Sequence, residues 1–375
     1  MRDERSRFRR SPGAAPAFLP RAVGAVLALT LSAGCVEADR DSEARPGGDE
    51  QRAEAPDTTA GAARQANAPA PQYTLTRDQT HNRWSSAIPP VLRVPSGAVI
   101  AVETEEASDA QLRPGSTVED LGDLSFDPIH PLTGPVYVEG ADPGDVLAVT
   151  LHRIEVGDWG WAAVVPGFGF LADEFPEPWL RTWEIPAGAG SVEFAPGVRL
   201  PLAPFAGVMG VAPPTDSLLS TIPPRANGGN MDNRHLTEGT TVYFPVFVPG
   251  ALFSIGDTHA VQGDGEISGT AIEAPMRIVY DVRVIEGGRR IAEPQYENDE
   301  LYGVTAFGTT IDEAARKASR YMVDYLVEIH GLDRTDAYVL SSLAADLKIS
   351  ETVDVPHVLV SMHVPKSIFE DAAER

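Results

Sequence analysis

The chain has 375 residues, is 43% hydrophobic, and carries a formal net charge of -24 with a single cysteine, Cys35. It is long enough for one large domain or two intimate ones with a sizeable core. Such acidity excludes nucleic acid as a partner, and the lone cysteine near the N-terminus leaves the body without a disulfide, thiol nucleophile or Cys-based metal site.

Residues 1–34 read as a signal peptide of the lipoprotein type. Arg2, Arg5, Arg7, Arg9, Arg10 and Arg21 form a basic start, and residues 23–31 form an apolar run too short to span a bilayer. Removing this leader leaves 24 basic against 52 acidic residues, an acidity read mainly as solvated surface. The run Leu31-Ser32-Ala33-Gly34-Cys35 resembles a bacterial lipoprotein cleavage box, which implies cleavage before Cys35 and lipidation of that residue. Residues 35–72, rich in Ala, Asp, Glu, Arg, Pro and Gly without apolar periodicity, read as a disordered tether. The expected location is the cell envelope, with membrane contact through the lipid anchor alone.

From residue 73 to 375 the pattern is that of one folded body. Turn signals feed short apolar runs at 99–102, 146–149 and 242–246, and an apolar strand is expected over 246–255. Alternation predicts strands at 278–284 and 358–364. Thr310-Ile311-Asp312-Glu313 resembles a capping start, with Ala314, Ala318, Met322 and Leu326 at helical spacing and Gly331 as the stop. A second helix is expected over 336–347. The reading is mainly antiparallel β with a C-terminal α+β portion holding a helical pair.

Chemistry concentrates between Asn227 and Glu273. Asn230-Met231-Asp232, Asp257-Thr258-His259 and Asp264-Gly265-Glu266 each place two polar groups two residues apart, on one face of a strand. The combined amide, carboxylates and imidazole suit a divalent metal with mixed N/O ligands. Asp264-Gly265 is equally a hairpin signal, and Asn227-Gly228-Gly229-Asn230 is turn chemistry. His81-Asn82-Arg83-Trp84 and the proline-flanked His130 are two further clusters that could line a site. The chain lacks a Gly-x-Ser-x-Gly elbow, and its three lysines, Lys317, Lys348 and Lys366, all come late, which argues against a Ser-Ser-Lys amidase.

Gly228-Gly229-Asn230-Met231-Asp232, then Phe253-Ser254-Ile255-Gly256-Asp257-Thr258-His259 running on to Asp264-Gly265-Glu266, and Gly269-Thr270-Ala271-Ile272-Glu273 resemble the acetamidase/formamidase family. His81-Asn82-Arg83-Trp84 and His130-Pro131-Leu132-Thr133-Gly134-Pro135 match it as well. The resemblance runs from Tyr73 to Val364. It implies a β-sandwich core of jelly-roll character, a bound divalent metal, and hydrolysis of short linear amides to carboxylate and ammonia. On that reading Asp232, Asp257 and His259 hold the metal, zinc favoured and calcium possible. Glu266 or Glu273 carries the proton, with Asp264 a further catalytic candidate. Asn230, or the backbone of the Gly228-Gly229 turn, serves the oxyanion. His81, Asn82, His130 and Gly229 contact substrate, and a homodimer is expected. The competing readings are hydrolysis of another C–N bond, as in a cyclic amide or urea derivative, and a solute-binding lipoprotein without catalysis.

Overall fold

A computed structural model describes residues 68–369. The leader, Cys35 and most of the tether lie outside the described residues.

Two large sheets enclose the main core, so the mainly β sandwich and the late helical pair are both present. In the first sheet, Val146–Val156 pairs antiparallel with Met276–Ile285. Leu147, Val149 and Leu151 face the core at strand spacing, and Ile154 resumes the face after a bulge. Ile278, Tyr280 and Val282 stand opposite as their register partners. The sheet continues through Thr241–Pro245, Gln295–Glu297, Leu301–Gly308 and Val358–Pro365 to the edge strand Asp346–Glu351.

The helices cover this far end. Helix α1, Ile311–His330, begins at Thr310, whose hydroxyl accepts from the Glu313 N–H, and ends at Gly331 with φ +67°. Its buried face, including Ala314, Ala318, Met322 and Leu326, packs on Leu301–Gly308 and Val358–Pro365. Helix α2 spans Arg334–Ala344, starting and ending earlier than expected because Asp333 caps it and the chain turns extended at Ala345.

The second sheet carries the chemistry. Its central strand is Phe253–Val261, flanked by Phe205–Gly210 and, at its ends, by Leu132–Val138 and Ile272–Glu273. The single apolar strand expected over 246–255 is not present. Thr241–Pro245 ends, and a turn at Pro249-Gly250, with Ala251 and Leu252 both at φ +57°, precedes Phe253. Ala251 and Leu252 are buried although they form a turn, which is why the run reads as a strand. Asp257 and His259 therefore sit inside a strand rather than at its exit.

Asp257 has φ +49°, a left-handed conformation uncommon for a residue with a side chain. It reverses the facing of the strand. Before it, Phe253 and Ile255 face the core; after it, Ala260 does. The neighbouring strand changes in step at Gly207, from Ala206 to Met209, with the pairing register unbroken. His259 is thereby released from the core face and turned to the opposite side, edge-on to Phe205.

Candidate active site

On that side lies a cavity floored by Asn230, Asp232, Asp257, His259, Glu266, Glu273 and Asp354. It is narrow, with a cavity volume of about 50 Å³. Asp232, Asp257, Glu266 and His130 all have positive φ, at 40°, 49°, 44° and 56°. Such strain persists only where surrounding contacts enforce it, and it gathers at functional sites.

His259 is the centre of the floor. Its Nδ1 donates to Gln262 Oε1 at 2.8 Å, while Gln262 Nε2 donates to the Asp232 carbonyl at 2.7 Å. The amide group thus fixes Nδ1 as the donor and leaves Nε2 facing Glu273 Oε2 at 3.0 Å and Asp257 Oδ1 at 3.5 Å. Those two oxygens are buried and receive no hydrogen bond, nor do both oxygens of Asp232. A bare imidazole lone pair aimed at two carboxylate oxygens is repulsive, so a cation must lie between them or a proton must sit on Nε2. Burial alone would lower the His259 pKa, yet Glu273 and Asp257 overcome it and hold the ring well above its usual value.

The acids repel one another. Burial and the neighbouring Asp257 charge push Asp232 up to about 6, against the pull of His259. Glu266 is raised well above a normal carboxylate by burial and by Asp232. Asp257 stays low despite burial, because His130 and His259 stand beside it. No lysine or arginine among the described residues lines the cavity. This donor set suits a divalent cation. Two groups can close around one: Asp257, His259 and Glu273, or Asp232, His259 and Glu266, with ligand atoms within 4.8 Å of each other in each group. With Nδ1 engaged by Gln262, the free Nε2 points to the first group.

The C-terminal portion supplies residues that sequence reasoning missed. Gly265 N–H donates to the Ser350 carbonyl at 2.9 Å, tying the floor to the edge strand Asp346–Glu351. Beyond it, Asp354 enters the cavity and accepts from Asn230 Nδ2 at 2.6 Å. Glu351, pushed up to about 8 by burial and Asp232, accepts from the Val353 and Asp354 N–H groups and fixes that loop. Glu106, fully buried, accepts from Ser108, Ala110 and Trp161 Nε1, which holds the Trp161 ring in the cavity wall. Glu351 and Asp354 lie too far along the chain for any spacing pattern to link them to Asn230.

Of the residues expected at the site, Asn230, Asp232, Asp257, His259, Glu266, Glu273 and His130 converge on the cavity. Four others lie elsewhere. Asp264 is partly exposed on the turn, 3.6 Å from His235. His81 donates or accepts at Ser254 Oγ, 2.8 Å away, and bonds the Arg83 carbonyl. Asn82 donates to the Asp127 carbonyl, bracing the loop that precedes His130. Gly229 is buried in the strand Gly228–Asn230, and the Gly228 N–H is used by the Arg225 carbonyl, so this turn offers the cavity no donor. Asn230 likewise presents Oδ1, an acceptor, because its Nδ2 is held by Asp354.

The family model of the acetamidase/formamidase family matches residues 70–220 and 216–371. The chain belongs to the acetamidase/formamidase family. It is an amidohydrolase. The acetamidase of Mycolicibacterium smegmatis is 32% identical over 293 residues, covering 61% of this chain and 70% of that protein. The formamidase of Methylophilus methylotrophus is 27% identical over 366 residues, covering 78% and 90%. A crystal structure of a predicted acetamidase/formamidase from the thermophile Thermoanaerobacter tengcongensis superposes with a TM-score of 0.75 at 32% identity, covering 81% of this chain and 98% of the other. The family match spans the floor of the cavity and the C-terminal residues that complete it.

Proposed function

We propose that the cavity hydrolyses short linear amides, of the formamide and acetamide kind, to carboxylate and ammonia with the help of a divalent metal. The observation that carries the reading is His259 Nε2 set against two buried, unpartnered carboxylate oxygens. Asp257, His259 and Glu273 would hold the ion, with zinc favoured by the mixed N/O donors. When bound, such an ion supplies Lewis-acid polarisation of the amide carbonyl and lowers the pKa of water from about 15.7 towards about 7.

The remaining steps belong to the chain. Glu266, which lines the cavity beside Asp232 and His259, takes the proton of the attacking water and delivers it to the departing nitrogen. Asn230 Oδ1 accepts from the substrate NH₂ and orients it. His130 is the donor available to the developing oxyanion. The other side-chain donors of the wall, Ser108, Trp161 and Thr270, are engaged with Glu106 and the Ala163 carbonyl, and His259 Nδ1 is engaged with Gln262.

The same proposal places the enzyme at the cell envelope, held by lipid on Cys35, from the cleavage-box pattern in the sequence. Cys35→Ala should abolish detergent partitioning; unchanged partitioning removes the anchor. For the chemistry, ammonia release from formamide and acetamide is measured with zinc-replete protein and after chelation. Activity lost on chelation and restored by zinc is expected. Turnover indifferent to chelation at full metal removal would overturn the metal's part.

A further inference from the structure

The acid floor is one side of the cavity. The facing wall is apolar: Leu124, Phe126 and Ile129 come from the loop before His130, Val165 and Phe168 from the loop after Trp159–Val164, and Ile222 from a third segment. Phe126 and Phe168 meet edge to face, with ring centroids 5.8 Å apart and planes at 66°. Phe126 is 40% exposed, so this pair stands at the mouth and contacts both solvent and cavity.

Phe168 is fixed in place. Its ring lies on Gly269, where a Cβ would come within 2.5 Å of Phe168 Cδ1, and Gly269 has φ +90°. The Phe170 N–H donates to the Ile267 carbonyl and the Gly269 N–H donates to the Glu266 carbonyl. Phe168 is therefore braced against the turn that carries Glu266.

The floor and His130 together account for a carboxamide headgroup. Formamide and acetamide are too small to fill this apolar lining, whereas a flat apolar group packs well on a pair of aromatic rings. We propose that, among the amides the site hydrolyses, the enzyme favours primary carboxamides whose carbonyl carbon bears an aryl or arylmethyl group over the short linear ones, and that Phe126 and Phe168 are the residues that read it. This rests on the hydrolase reading of the floor. Each methylene that fills such a wall is worth roughly 10-fold or more in kcat/KM, so an aryl group should outweigh a methyl by a larger factor.

The test is ammonia release by the full chain, zinc-replete, from acetamide, isobutyramide, benzamide and phenylacetamide. Phe126→Ala, Phe168→Ala and the milder Phe168→Leu are compared after circular dichroism confirms their fold. We expect kcat/KM for phenylacetamide to exceed that for acetamide by about 100-fold, on the scale of roughly 10-fold per methylene. Each alanine variant should lower that ratio by about 10-fold or more, with Phe168→Leu between. Acetamide equal to or better than both aryl amides, or alanine variants that leave the ratio unchanged, would overturn the assignment. Failure of the zinc-replete enzyme to release ammonia from any amide is a different result: it removes the hydrolase reading on which the assignment stands.

Discussion

Gly207 leaves open the space that Asp232 occupies: a Cβ built there would stand 2.4 Å from Asp232 Oδ1 and 2.7 Å from His259 Cε1. The missing side chain is what allows a carboxylate and an imidazole to close over the same strand.

Gly207→Ala is therefore expected to displace Asp232 or His259 while the sandwich core, which faces the other way, stays packed. Such displacement of reacting groups can cost about 100-fold in rate. Activity and near-ultraviolet circular dichroism check this together. Wild-type kcat/KM in a folded variant would show that the crowding relaxes harmlessly.

Gln262→Met removes the acceptor that holds His259 in one tautomer. Outer partners of this type are typically worth about 10–100-fold in activity or metal affinity. The expected signature is a rise in the zinc concentration needed for half-maximal activity. An unchanged zinc titration would demote Gln262 to packing.

His130→Ala removes the free donor of the wall. Loss of an oxyanion donor costs about 10²–10³-fold in kcat. Zinc content and KM should move far less than kcat, since His130 is not among the residues proposed to hold the ion and its donor acts on the developing oxyanion. A variant that loses zinc instead would make His130 a ligand.

The gathered acids should cost the metal-free fold stability. In chelator, Asp232→Asn is expected to raise the melting temperature by a few degrees, because it removes one of several buried acids that raise one another's proton affinity. A lower melting temperature in chelator would show that Asp232 is satisfied without a cation.

Much of this was legible beforehand, and the exceptions have physical causes. The acids and His259 stand out because strands rarely carry so many buried charges. Helix α1 is legible from its cap, its spacing and Gly331. Gln262, Gly207, Glu351 and Asp354 were not, since a glutamine near a turn and a glycine in a strand have no spacing that marks them. His81 and Asn82 look like site residues because polar groups cluster there. In the fold they brace Ser254 and the 127 loop, roles that depend on partners 173 and 45 residues away.

His81 also sets an acid limit. Burial lowers its pKa from 6.5 to about 4, only partly offset by its bond to the Arg83 carbonyl. Between those values the unfolded chain binds a proton that the folded chain refuses. Stability contributed by His81 is therefore intact above about pH 6.5, falls as pH drops through that window, and is fully lost below about pH 4. His81→Asn should flatten the dependence of the urea midpoint on pH between 4 and 6.5. An equally steep profile would assign the acid sensitivity to other groups.

The edge strand Asp346–Glu351 gives the site an order of assembly. Asn230, Asp232 and Glu266 leave the ribosome well before Asp354, and until that strand docks beside Gly265 one side of the floor is open. Solvent then carries the charge of the early acids at little cost. Burying them is deferred to a late, long-range docking step of the kind that forms slowly. A cation arriving before that step meets an open basin, and one arriving after it meets a narrow, enclosed floor.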